Sequence, residues 1–187
     1  MLAVSACANL IGSVSGGFYS SVNNEFKVRT PTIPKLSVQD GILKERVFVD
    51  FYQSRGFWKK HGLYSIEWYR PKHEIKSDKM FYSYNKSFTA SFVQSNFGGR
   101  GSFDVIDARE LKVNGRVAYQ FVANGMLDNV DAVWVGTSIK FEQYIALISV
   151  VIHSETANKT ELHGATVQTK IPWNKYNSFL NSFTQIK

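Results

Sequence analysis

The feature that most constrains this chain is a two-residue alternation that begins at Phe18. β-Branched and aromatic residues gather there in short runs, alternate with polar residues, and stop at Gly, Asn, Asp or Pro. Successive side chains of a strand point to opposite faces, so runs of this kind suit half-buried strands. They predict strands at 18–21, 26–30, 46–52, 63–70, 103–113, 117–123, 132–139 and 141–153. Asn23-Asn24 and Asn114-Gly115 fall between neighbouring runs. Asn and Gly accept the positive φ of tight reversals, and strands joined so closely must run antiparallel.

Two segments break the alternation. Between residues 78 and 97, Phe81, Tyr84, Phe88, Phe92 and Val93 recur at spacings of three and four, the signature of one helical face. The serines and Thr89 of this segment are weak helix formers, so burial of that face must supply its stability. Pro172 opens a second helix with an apolar stripe of Trp173, Tyr176, Phe179, Leu180 and Phe183, opposite Asn174, Lys175, Asn177 and Asn181. The element order is strands, helix, strands, helix. It predicts an α+β fold: a single antiparallel sheet covered by helices, with the C-terminal helix packed on it. A length of 187 residues with 44 % apolar and 14 % aromatic composition suits one domain, expected over residues 18–187. One cysteine excludes a disulfide scaffold. The longest apolar run, 144–152, falls well short of the roughly 18 residues a spanning helix needs.

The first 17 residues read differently. Val4-Ser5-Ala6-Cys7 resembles a bacterial lipobox, in which small residues admit a signal peptidase and the cysteine receives lipid. A complete leader also carries a positive start and about 7 to 15 apolar residues, and neither is present here. Either the true start lies upstream or the match is accidental and Cys7 is an ordinary thiol. The resemblance implies an envelope lipoprotein on the periplasmic side, with lipid attached at Cys7 and the glycine- and serine-rich stretch 12–17 as its tether.

The whole layout resembles the PsbP-like fold of an extrinsic photosystem protein, a Ran-binding nuclear-import protein and many bacterial envelope proteins. The residues that carry the resemblance are Gly17-Phe18-Tyr19-Ser20, leading into Glu25-Phe26-Lys27-Val28-Arg29-Thr30-Pro31, and the ending Trp173-Asn174-Lys175-Tyr176-Asn177-Ser178-Phe179-Leu180-Asn181-Ser182-Phe183. The polar insertion 154–170 departs from the simplest version of that fold. The resemblance implies accessory or binding work without catalysis and without a cofactor, although fold alone is a weak warrant for function.

Four groups of residues carry candidate chemistry. His153 and Glu155 mirror His163 and Glu161 about Asn158. A hairpin turning there would bring two imidazoles and two carboxylates to one face, a donor set for zinc and the basis of an alternative reading as a metal-dependent hydrolase. A solvated loop explains the same residues without metal. Gly98-Gly99-Arg100-Gly101-Ser102 would cradle an anion with help from Arg100, but it lacks the ending of a nucleotide-binding loop. Asp104 and Asp107 have opposite parity and are expected on opposite faces of their strand, which argues against paired acid-base work. No Gly-x-Ser-x-Gly nucleophile elbow occurs.

Charge is the fourth signal. Residues 1–86 carry a net +6 and residues 87–187 a net +1. The excess lies in 55–61 and in 70–76, at the two ends of the strand expected at 63–70. Phe57, Trp58, Lys59 and Lys60 combine aromatic and cationic groups suited to a protein groove or an anionic lipid surface. Similar interleaving serves single-stranded nucleic acid, but no RNA-binding motif is present and an envelope address argues against that partner. The function expected is therefore a noncatalytic, lipid-tethered accessory module. A small-ligand binder using a cavity between sheet and helix is the remaining alternative. Asn85-Lys86-Ser87 and Asn158-Lys159-Thr160 also match glycosylation acceptors.

Overall fold

The computed structural model describes residues 12–21, 24–30, 46–51, 63–95, 97–153 and 173–186, with the backbone alone at 46–51, 98 and 153. In chain order the described elements are β1 (Ser13–Ser15), β2 (Phe18–Ser20), β3 (Phe26–Arg29), β4 (Arg46–Phe51), β5 (Leu63–Tyr69), α1 (Asp78–Ser95), β6 (Gly101–Val113), β7 (Arg116–Leu127), β8 (Val130–Lys140), β9 (Ile145–His153), α2 (Trp173–Ser182) and β10 (Thr184–Gln185). A single 3-10 turn, Gly98–Arg100, joins α1 to β6.

The fold is α+β, as the alternation predicts, but the strands form two antiparallel sheets where one is expected. The larger has the order β4-β5-β9-β8-β7-β6, and the smaller the order β1-β2-β3-β10. The long strands β6, β7 and β8 are joined by two-residue turns whose central residues have positive φ: Asn114 at 51° with Gly115 at 77°, and Asp128 at 53° with Asn129 at 63°. Turns of this hand match the twist of the strands they join. The small sheet is completed by β10, from the far end of the sequence, which pairs Thr184 with Lys27 and Gln185 with Phe26 along the edge of β3. That pairing is non-local, and local alternation carries no trace of it.

Helix α1 covers one face of the large sheet. Trp134 is the hub of that core, with the rings of Phe92, Phe97, Phe103 and Phe121 centred 5.1–5.6 Å from its own. The most buried stripe of α1 is Phe81, Asn85, Thr89 and Val93, while Tyr84, Phe88 and Phe92 flank it half-buried. Buried Asn85 donates its Nδ2 to the Phe81 carbonyl at 2.8 Å, while its Oδ1 meets no described partner. A side chain with no exposed surface is also closed to a glycosyltransferase, so the sequon at Asn85 is unusable in the folded chain.

The opposite face is covered by α2 and the small sheet. Tyr176, Phe179, Leu180 and Phe183 are buried against β5, β8 and β9, and Phe183 stacks on Phe26 at 5.1 Å. A polar chain runs through this layer. Arg109 Nε and Nη2 donate to Gln120 Oε1 at 3.0 and 2.7 Å, and Gln120 Nε2 donates to Thr137 Oγ1 at 3.1 Å. The Tyr176 hydroxyl lies 2.7 Å from Thr137 Oγ1 and 3.0 Å from the Ile148 carbonyl. A phenol has one proton and a carbonyl only accepts. Tyr176 therefore donates to Ile148, and the Thr137 hydroxyl donates to Tyr176. Every bond then points the same way, from the Arg109 guanidinium to a backbone carbonyl, which lets each polarise the next.

Three local expectations are revised. Residues 13–15 of the stretch read as a tether form β1, which pairs with β2 through a reversal at Gly16 and Gly17, φ 58° and 78°. The strand expected over 141–153 begins only at Ile145, because Phe141 to Tyr144 is the β8–β9 turn, closed by Phe141 N–H donating to the Tyr144 carbonyl at 2.9 Å. Asp104 and Asp107 share a face. The β6–β7 register passes from Val105↔Ala123 to Asp107↔Val122, so Ile106 is the extra residue of a bulge and reverses the parity after it.

Candidate functional site: a basic, aromatic pocket at one end of the large sheet

Strand β5 ends at Tyr69, and Arg70-Pro71-Lys72 then turns the chain across the end of the sheet towards α1. Proline at 71 removes a ladder donor and stops the strand there. Beside this segment lies the β8–β9 turn. Together they enclose a pocket of about 280 Å³ whose apolar floor includes Ile75, Phe141 and Tyr144 and whose rim carries Arg70, Lys72 and Lys140. Glu74 and Glu142 also reach the rim, so its charge is mixed with a cationic excess.

The pocket is tied to the hydrophobic core by a stack. Trp68, fully buried on β5, lies parallel to the Tyr144 ring with centroids 4.8 Å apart. The Arg70 guanidinium sits over the other ring of that pair, 5.1 Å from the Tyr144 centroid, and donates to Gln143 Oε1 at 2.7 Å. A second cation follows the same rule: Arg116 stands 4.5 Å from the Phe141 ring centroid. Cations over aromatic faces gain from the ring quadrupole, and Arg held in this way keeps a defined direction rather than sweeping through solvent. Lys140 is anchored by Asp78 Oδ1 at 3.1 Å; Asp78 itself stands in the first turn of α1, where the helix dipole favours a negative charge. The arrangement sets Arg70, held over Tyr144 and bonded to Gln143, and Lys140, paired with Asp78, beside an apolar depression.

Of the residues singled out from the sequence, Arg70, Pro71, Lys72, Glu74 and Ile75 of the segment 70–76 line this pocket, and His73 and Lys76 do not. Cys7, Phe57, Trp58, Lys59 and Lys60 lie outside the described residues, as do Glu155, Glu161, His163 and the sequon at Asn158. His153 closes β9, its backbone paired with Ala132. Among the described residues no group of three or more His, Cys, Asp or Glu is placed to hold a metal, and no helix is long and apolar enough to cross a membrane. Arg100 is engaged already. Its Nε and Nη2 bond the two carboxylate oxygens of Asp128 at 2.9 and 2.7 Å, so an anion at the glycine-rich turn would compete with an internal carboxylate. That bond also holds the Arg100 pKa above its ordinary value.

Sequence reasoning passed over Tyr144, Arg116 and Lys140. The signal for Tyr144 was its position directly after a Glu142-Gln143 pair that interrupts the apolar run. Arg116 and Lys140 had none, since only the sheet order brings β7 and β8 to the same end as β5.

No protein-family model matches the chain, and no curated protein matches it in sequence. Among solved structures it is similar to the solution structure of cyanobacterial PsbP (CyanoP) from Synechocystis sp. PCC 6803, with a TM-score of 0.53 and 14 % identity over 94 % of this chain and 98 % of that one. A crystal structure of a Pseudomonas aeruginosa protein of unknown function, described as a putative regulator, aligns with a TM-score of 0.42 and 10 % identity over 75 % of this chain and 96 % of that one. The first likeness, spanning nearly the whole of both chains, shows that this α+β chain with its two antiparallel sheets and C-terminal helix has a PsbP-like fold.

Proposed function

We propose that the chain is a noncatalytic accessory module of the bacterial envelope, tethered through lipid on Cys7, that binds a protein partner by its basic, aromatic end. The observation that carries this reading is the Trp68–Tyr144–Arg70 stack beside a pocket rimmed by cations. An acidic segment with one bulky side chain fits such a site: the side chain fills the apolar floor and its carboxylates meet Arg70 and Lys72. Buried aromatic and Arg anchors of this kind dominate the energetics of protein interfaces. Phe57, Trp58, Lys59 and Lys60 enter the proposal as a second contact segment, on the strength of their composition alone.

The test is capture of envelope proteins from the native host by the purified domain, with Arg70→Glu/Lys72→Glu as the comparison and mass spectrometry of Cys7 alongside. The expected result is a partner retained by the wild-type domain and lost with the reversed charges, at unchanged thermal stability. Equal capture by both proteins refutes the role of this end. Flotation with phosphatidylglycerol vesicles that depends on Arg70 would replace the protein partner by an anionic membrane.

A further inference from the structure

A second cleft lies away from the basic pocket, between α1 and the β6–β7 hairpin. Lys79, Tyr82, Ser83 and Lys86 stand at spacings of three, one and three, so they form a single stripe along α1. Facing them are Glu110 and Tyr119, a directly opposed pair on β6 and β7. The space they line measures about 500 Å³. We infer that this cleft is a binding site for an anionic sugar, a pyranose ring bearing a carboxylate or a phosphate.

Three observations lead there. The polar groups of the cleft are unspent: among the described residues no hydrogen bond or ion pair engages the side chains of Lys79, Ser83, Lys86 or Glu110, or the hydroxyls of Tyr82 and Tyr119. The charges just outside it are spent, Asp78 on Lys140 and Arg109 on Gln120. The charge pattern is also selective. Lys79 and Lys86 are seven residues apart, about 10 Å along the helix axis, and the Glu110 carboxylate lies across from them on the sheet. A compact polyanion would be repelled by Glu110, and a simple cation by the lysines. A ring with several hydroxyls and one acidic substituent satisfies both, since its hydroxyls donate to Glu110, its anion meets a lysine, and its C–H face lies on a tyrosine ring. Burial and the nearby Glu110 raise the pKa of Tyr82 and Tyr119, and Asp78 adds to the effect at Tyr82. Both phenols therefore keep their protons and serve as donors. The inference does not depend on the basic pocket and survives if that reading fails.

The experiment is a ¹⁵N-NMR titration of the full chain with glucuronate, glucose 6-phosphate, glucose and inorganic phosphate. We expect saturable shifts confined to amides near Lys79–Lys86, Glu110 and Tyr119, with a dissociation constant on the order of 1 mM for at least one of the two acidic sugars. Which of the two binds defines the anionic substituent. Glucose and inorganic phosphate should each bind at least about tenfold more weakly, a difference of about 1.4 kcal/mol. Lys79→Ala/Lys86→Ala should weaken the acidic sugar by a similar factor, and Glu110→Gln should narrow its advantage over inorganic phosphate. All three residues are exposed, so the fold should persist, which an unchanged melting temperature verifies. The proposal is overturned if inorganic phosphate binds as tightly as the acidic sugar that saturates, if the shifts map elsewhere, or if neither acidic sugar saturates.

Discussion

Replacing Tyr176 and Tyr64 in turn by Phe removes the same atom from two buried phenols and should change stability with opposite signs. Tyr176 is fully buried, and its hydroxyl links Thr137 Oγ1 at 2.7 Å to the Ile148 carbonyl at 3.0 Å. Tyr176→Phe strands the Thr137 proton and removes one donor from Ile148, while Gln120 still serves the Thr137 oxygen. One stranded buried group costs about 1–3 kcal/mol. The backbone carbonyl keeps its place in the strand ladder, so the total should be about 2 kcal/mol, or a fall of about 4–8 °C in melting temperature for a domain of this size. Tyr64 is equally buried, but no described group bonds its hydroxyl. Tyr64→Phe relieves a desolvated polar atom and should be neutral or stabilising by up to about 1 kcal/mol. Urea unfolding followed by tryptophan fluorescence measures both, and a Tyr176→Phe/Thr137→Val cycle should return a coupling of at least about 0.5 kcal/mol. If Tyr176→Phe costs less than Tyr64→Phe, the directed chain from Arg109 to Ile148 is wrong.

Two further outcomes follow from the same core. Gly136 lies opposite Phe121 in the β7–β8 register, and a Cβ there would run into the Phe121 ring, which is wedged edge-on against Trp134 at 5.6 Å. Gly136→Ala should therefore cost about 1–3 kcal/mol by overpacking, read as a lower urea midpoint; an unchanged midpoint would mean that the ring moves freely. Alkaline stability should also fall. Burial lifts the Tyr64 pKa to about 12 and that of Tyr176 higher still, whereas an unfolded tyrosine titrates near 10. The folded state then holds protons that the unfolded state has lost. The stability is complete below about pH 10 and declines above it, by up to about 1.4 kcal/mol per pH unit for each phenol. Comparing wild type with Tyr64→Phe at about pH 9 and about pH 11.5 should show a shallower decline in the variant, and equal slopes would refute the assignment.

The basic, aromatic end of the molecule depends on a division of labour between strand and turn. Trp68 belongs to the core because it occupies an inward position of β5, while Arg70 lies just past the strand end and leans over Tyr144. Proline at 71 sets that boundary. The same boundary places Lys72 and Glu74 along the rim rather than in the ladder. The site is thus a consequence of where β5 stops.

What the sequence determined by itself was whatever depends on neighbours along the chain. Alternation placed the strands β2 to β9 within a few residues, and the Asn114-Gly115 pair placed its reversal at the residues with positive φ. The three-and-four spacing from Phe81 to Val93 placed α1, and the stripe from Tyr176 to Phe183 identified the side of α2 that is buried. Spacing could not show that Asn85 and Thr89 lie deeper than Phe88, because depth depends on where the helix sits above the sheet. The bulge at Ile106 was equally hidden: one unpaired residue reverses every face after it, and its only cause is the fit of β6 to β7. Tertiary structure alone decided that Gln185 pairs with Phe26 and that β1 to β3 stand in a separate sheet from β4 to β9. It alone brought Arg70, Tyr144 and Arg116, from three separate elements, to one end of the molecule. Local preference acts over a few residues, whereas the sites of this protein are made of contacts between strands that only the folded sheet order makes adjacent.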